Sequence, residues 1–179
     1  MDSLKPIETK LAEAFKGVPA LPESTKKMLS DWLRWVVLGV GVLQLFAAWS
    51  LLAWGRDVNR AVETISSYSS AFGVAAPIEK LSIFYWLSIV VLLAEAIILL
   101  MAYPKLKTKA KDGWNLVFLA ALINVAYGVF SVFSNRGGIM SLIFSLLGSA
   151  IGLYFLFQVR DQYNAKTVTA AKTPKLATK

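Results

Sequence analysis

The sequence predicts an all-α integral membrane protein, a four-helix transmembrane bundle with short interfacial helices. Three observations carry that prediction. Of the 179 residues, 56% are hydrophobic and only 17% are charged, against about 25% charged in soluble domains. The charges stand outside the apolar runs, and mean hydropathy is +0.57. Four of those runs are long enough to cross about 30 Å of hydrocarbon, which takes roughly 20 helical residues. The chain accordingly divides into a cytoplasmic N-terminal segment (1–31), the four spans (32–159) and a basic tail (160–179).

The N-terminal segment contains "PIETKLAEAFK", residues 6–16. Ile7, Leu11 and Phe15 recur at helical spacing, and Lys10, Glu13 and Lys16 lie elsewhere on the wheel. Pro6 suits a first helical position and Gly17 a stop. A short amphipathic helix on the inner membrane surface is expected.

The first span is "RWVVLGVGVLQLFAAWSLLAW", residues 34–54. The residues before it are polar, and it is of full span length, so it is expected to serve as an uncleaved anchor. In the loop at 55–80, Val58, Val62, Ile65 and Phe72 share one helical face. They either extend the span or fold back over it, before Gly73 and Pro77 punctuate the chain.

The second span, 83–103, holds a carboxylate, Glu95, inside "LSIVVLLAEAIILLMAY". Inserting it costs about 3 kcal/mol, and each Leu, Ile, Val or Phe returns roughly 0.3–0.6 kcal/mol. Twelve such residues lie between Ile83 and Tyr103, enough to offset the charge. The third span is 114–134 and the fourth 139–158. "SNRGG" at 134–138 is short enough to force these two into an antiparallel hairpin.

Orientation follows from Lys and Arg. Fifteen of the 19 basic residues fall on one side. They include Lys105, Lys107, Lys109 and Lys111 after the second span, which are expected at anionic lipid headgroups. Both termini are therefore expected in the cytoplasm of a multi-pass protein of the cell membrane, with a bacterial inner membrane as the expected location. Trp32, Trp35, Tyr103 and Trp114 fit an inner aromatic belt, and Trp54, Tyr85 and Trp86 an outer one. Trp49 fits neither. The tail is expected to be disordered. Its lysines have no interleaved aromatics to stack on bases, so nucleic acid is not an expected partner.

Function is constrained mainly by exclusion. The chain has no Cys and no His, which removes disulfides, a Ser-His-Asp triad and the usual zinc, copper and haem ligands. No metal and no cofactor is expected. No nucleophile–base pair or phosphate-cradling loop is visible, so no enzyme activity is expected. One polar layer remains. Gln44 and Asn124 sit at the centres of the first and third spans, Gly148 and Ser149 at that of the fourth, and Glu95 two residues past that of the second. Side chains lean toward their helix N-terminus, which brings Glu95, Gln44 and Asn124 to one depth, with Tyr127 one turn from Asn124.

Glu95, Asn124, Gln44, Tyr127 and Ser149 are thus a candidate intramembrane polar cluster. Gly128, Gly148 and Gly152, in stripes with Ala120, Ser131, Ser141 and Ser145, are candidate helix-packing positions. Two functions follow. The first is a non-enzymatic structural or interaction component of the membrane, with Glu95 as a neutral hydrogen-bonding group. Its partners would be the lipid bilayer, anionic headgroups, and itself or another membrane protein. The second is a small proton- or cation-coupled transporter or channel built on Glu95.

Overall fold

The computed structural model describes residues 4–73, 79–131 and 139–163. The expected turn at 134–138 and most of the basic tail, 164–179, lie outside the described residues. Every regular element among the described residues is helical: α1 (Lys5–Ala14), α2 (Glu23–Ala71), α3 (Ile83–Lys107), α4 (Lys111–Ser131) and α5 (Ile139–Gln158). Short 3-10 turns follow α1 at Phe15–Gly17 and α5 at Arg160–Tyr163. Among the described residues, three helices are long and apolar enough to cross a membrane: Glu23–Ala71, Ile83–Lys107 and Lys111–Phe130. The apolar stretch Leu146–Gln158 of α5 is shorter.

The largest difference from the expected boundaries is α2. It runs unbroken for 49 residues, about 73 Å at 1.5 Å per residue. The segment after Trp54 therefore continues the helix instead of folding back. Pro22 precedes its first turn and Glu23 complements the helix dipole there. Nothing breaks it until Gly73, whose φ of +70° places it in the left-handed region that ends helices. Residues after the connection return along α2: Leu81 N–H donates to Asn59 Oδ1 at 2.9 Å, and Lys80 pairs with Glu63 at 2.6 Å.

The helices pack in chain order, α2 on α3, α3 on α4 and α4 on α5. The buried residues of α2 are Ser30, Val37, Gly41, Ala48, Gly55 and Val62. Most recur at seven, which keeps one seam facing a neighbour. At Gly41 a Cβ would meet Leu100 at 3.2 Å, and at Gly55 it would meet Tyr85 at 2.6 Å. Small residues thus let α2 and α3 approach closely. Tyr85 Oη donates to Leu51 O across the contact at 2.5 Å.

Pro104 stands inside α3, which continues to Lys107, past the boundary expected at Tyr103. Lys109 then takes a left-handed φ of 53°. It is held there by Asp31 at 2.7 Å and by Ser30 Oγ, to which its ammonium donates at 2.6 Å.

The core gathers at the end of the molecule where α2 starts, α3 ends and α4 starts. Trp114 and Phe118 of α4 are fully buried, with Leu106, Leu153, Leu156, Val159 and Tyr163. Trp114 therefore departs from the expected belt. Its indole N–H donates to Leu156 O at 2.8 Å, and its ring stacks on Phe118 with centroids 5.3 Å apart. The Lys111 ammonium lies over the ring, 3.6 Å from its centroid.

At the same end α1 docks onto the chain. Its one buried residue is Glu8, which accepts from Lys111 at 2.8 Å and Arg160 at 2.7 Å. Phe15 packs against Phe157 at 5.5 Å, and Tyr154 Oη donates to Pro19 O at 2.9 Å. Ile7 stays exposed, although the sequence wheel places it on the apolar face. Lys109 and Lys111 thus turn to the protein's own carboxylates, while Lys105 is half-buried and Lys107 exposed.

Candidate functional site

Glu95 lies on the face of α3 that also buries Ile89, Ala96, Leu99 and Ala102. It is only 4% exposed. Gln44, on the seam of α2 between Gly41 and Ala48, reaches it: Nε2 donates to Glu95 Oε2 at 3.1 Å. Asn124 of α4 lines the same cavity as Glu95 and Gln44. Three helices therefore each contribute one polar side chain to the lining of one cavity.

Glu95, Gln44 and Asn124 form the polar part of that cavity, whose volume is about 410 Å³. α3 and α4 form its floor through Glu95, Leu99, Val117, Ala120, Ala121 and Asn124. α2 and α5 form its sides, α2 through Trp32, Leu33, Val36 and Gln44, and α5 through Gly152, Phe155, Leu156 and Val159. The cavity exists because α2 and α5 pack on their neighbours and not tightly on one another. At the base the gap closes, where Tyr163 Oη donates to Ser30 O at 2.9 Å. Asn124 remains exposed even though it lines the cavity.

The other sequence candidates are distributed differently. Tyr127 and Ser149 are half-buried and lie outside the cavity lining. Gly128 is buried. The side chains of Ser131, Ser141 and Ser145 lie outside the described residues. Gly148 and Gly152 do not mediate close helix contact, because a Cβ on either meets nothing within 4 Å. The expected packing of α4 against α5 through Gly152 is therefore not made. α5 presents its glycines to open space and packs through Leu153 and Leu156.

This correction makes a prediction. Gly152→Leu is expected to melt in detergent at or slightly above the parent temperature. The new side chain enters open space, and helix propensity favours Leu over Gly by about 0.8 kcal/mol. A clear drop in melting temperature would show a tight contact at Gly152 after all.

Sequence reasoning missed the seam of α2 and the clasp at Glu8. The seam had a signal, since Gly41, Ala48 and Gly55 stand seven apart. Glu8 had none, because its partners lie 103 and 152 residues away.

Comparison with protein-family models, with curated proteins and with solved structures finds no match to this chain.

Proposed function

We propose that this chain is a non-enzymatic integral membrane protein of the cell membrane, a four-span bundle acting as a structural or interaction component. The observation that carries this reading is the Gln44–Glu95 bond at 3.1 Å. The one carboxylate within the four apolar runs is used to join neighbouring helices, as interhelical hydrogen bonds do in lipid. The outward residues support a lipid setting. Leu43, Phe46, Trp49, Phe144 and Ile151 are all more than half exposed, as lipid-facing side chains would be. α5, with 20 residues, supplies the fourth span. Its partners are the bilayer, a second copy or another membrane protein. Lys105, Lys107 and the tail lysines supply anionic headgroup contacts.

In this topology both termini face the cytoplasm, in a bacterial inner membrane. Reporter fusions after Lys179 and within residues 60–70 are expected on opposite sides, with the C-terminal fusion inside. A C-terminal reporter active outside the cell membrane would overturn the orientation.

A second reading has its own support. The cavity beside Glu95 suits a small proton- or cation-coupled transporter or channel. One experiment separates the two. Proteoliposomes of the purified parent and of Glu95→Gln are compared for proton and cation flux. The leading reading expects no flux above protein-free vesicles from either. Flux from the parent that Glu95→Gln abolishes would replace it with the second.

A further inference from the structure

The polar end of the cavity is incompletely satisfied. Glu95 accepts through Oε2, while Glu95 Oε1 and Gln44 Oε1 are buried without a hydrogen-bond partner. Buried acceptors normally have donors. Both orphans are acceptors, on adjacent side chains that line one cavity. No Lys or Arg lines that cavity, so the carboxyl meets the Gln44 amide but no countercharge. The remaining walls are apolar, and the volume of about 410 Å³ falls within the range of small-molecule sites.

These features select among ligand chemistries. A hydrocarbon would fill the walls and leave both oxygens unpaired. A hydroxyl supplies one donor and no charge. A quaternary ammonium supplies charge and no donor. A primary ammonium carries three donors and the missing positive charge, and charge-assisted bonds to a carboxylate are the strong ones.

We infer that the cavity binds an amphipathic primary amine, its ammonium donating to Glu95 Oε1 and Gln44 Oε1. Its apolar body lies along Leu99 and Val117 toward Trp32 and Phe155. The site deepens the second reading by naming the cation that Glu95 would meet, yet it requires binding only. Amine binding without flux would leave the site standing and remove the transporter. Absence of binding would remove the site and leave the flux experiment free to give either result.

The test uses the full chain in nanodiscs of zwitterionic lipid. Phenylbutylamine is titrated at neutral pH by calorimetry, with empty nanodiscs subtracting partition into lipid. Saturable single-site binding is expected, with phenylbutanol, its hydroxyl counterpart, roughly tenfold weaker or more. Glu95→Gln should keep its helical circular dichroism and weaken the amine by roughly ten- to a hundredfold. Gly152→Leu, at a cavity-lining position where a Cβ meets nothing within 4 Å, should also weaken it. The proposal is overturned if amine uptake does not saturate above empty nanodiscs. It is also overturned if amine and alcohol bind equally, or if a folded Glu95→Gln binds the amine as the parent does.

Discussion

Trp114→Ala is expected to lower stability by about 3–5 kcal/mol, the usual cost of truncating a buried Trp. No other side chain of this size is fully buried among the described residues. It combines three interactions at one place: the N–H bond to Leu156 O at 2.8 Å, the stack on Phe118, and the Lys111 ammonium at 3.6 Å. Removing the ring leaves a cavity among α4, α5 and the 3-10 turn, and it orphans the Leu156 carbonyl. Unfolding in mixed detergent micelles, followed by near-ultraviolet circular dichroism, reads the loss. Trp114→Phe should cost less, since it keeps most of the packing and gives up the N–H bond. Trp49→Ala, at an exposed position, should stay within about 0.5 kcal/mol of the parent. If Trp114→Ala unfolds like Trp49→Ala, the buried end is not the centre of stability.

Glu8→Gln is expected to release α1. Glu8 is nearly buried and bridges Lys111 and Arg160. The amide keeps the shape but leaves two cations facing each other without an anion between them. Both cations are about a third exposed, so water screens part of the loss. About 1–3 kcal/mol is expected, below the cost of breaking a fully buried pair. Hydrogen exchange should show it locally, as faster exchange of the amides of residues 5–14 with little change in α3. Uniformly faster exchange, or none, would contradict a clasp confined to α1.

The same contact sets a pH dependence. Burial by itself would raise the Glu8 carboxyl, but the hydrogen bonds and charges of Lys111 and Arg160 outweigh it. They hold the group below its ordinary value of 4.5. A depressed carboxyl stabilises the folded form at all pH above the unfolded value, and that contribution fades as the pH falls through the folded one. The docking of α1 should therefore be constant through neutral pH and weaken in acid below about 4.5. In Glu8→Gln this acid step should disappear.

The helical class was legible because hydropathy responds to long apolar runs, and runs of this length form helices when few polar groups interrupt them. The ends of α2 were not legible by that route. Residues 55–71 are polar enough to read as a loop, yet they contain no proline and only Gly55, which is packed against Tyr85. Helix continuation depends on the absence of breakers, which hydropathy does not measure. Gln44 and Glu95 could be placed at one depth from span centres alone. The cavity beside them could not, because it comes from α2 and α5 standing apart, a property of helices distant in sequence. Gly148 and Gly152 misled for a related reason. A small residue permits close approach but does not require it. Trp114 misled because an amphipathic ring at a helix end is equally suited to an interface and to a core that offers its N–H a carbonyl.

The clasp at Glu8 also has an order in time. Arg160 is synthesised 152 positions after Glu8. At about 5–20 residues per second, the carboxylate waits roughly 8–30 s for its second partner. Until then α1 has neither Arg160 nor Phe157 to rest on, and Lys111 arrives alone. α1 can seat only after α5 and the turn that follows it have been made. A chain that stalls or is cut before Arg160 would leave α1 unseated and open to proteases, so α1 registers whether α5 has been completed.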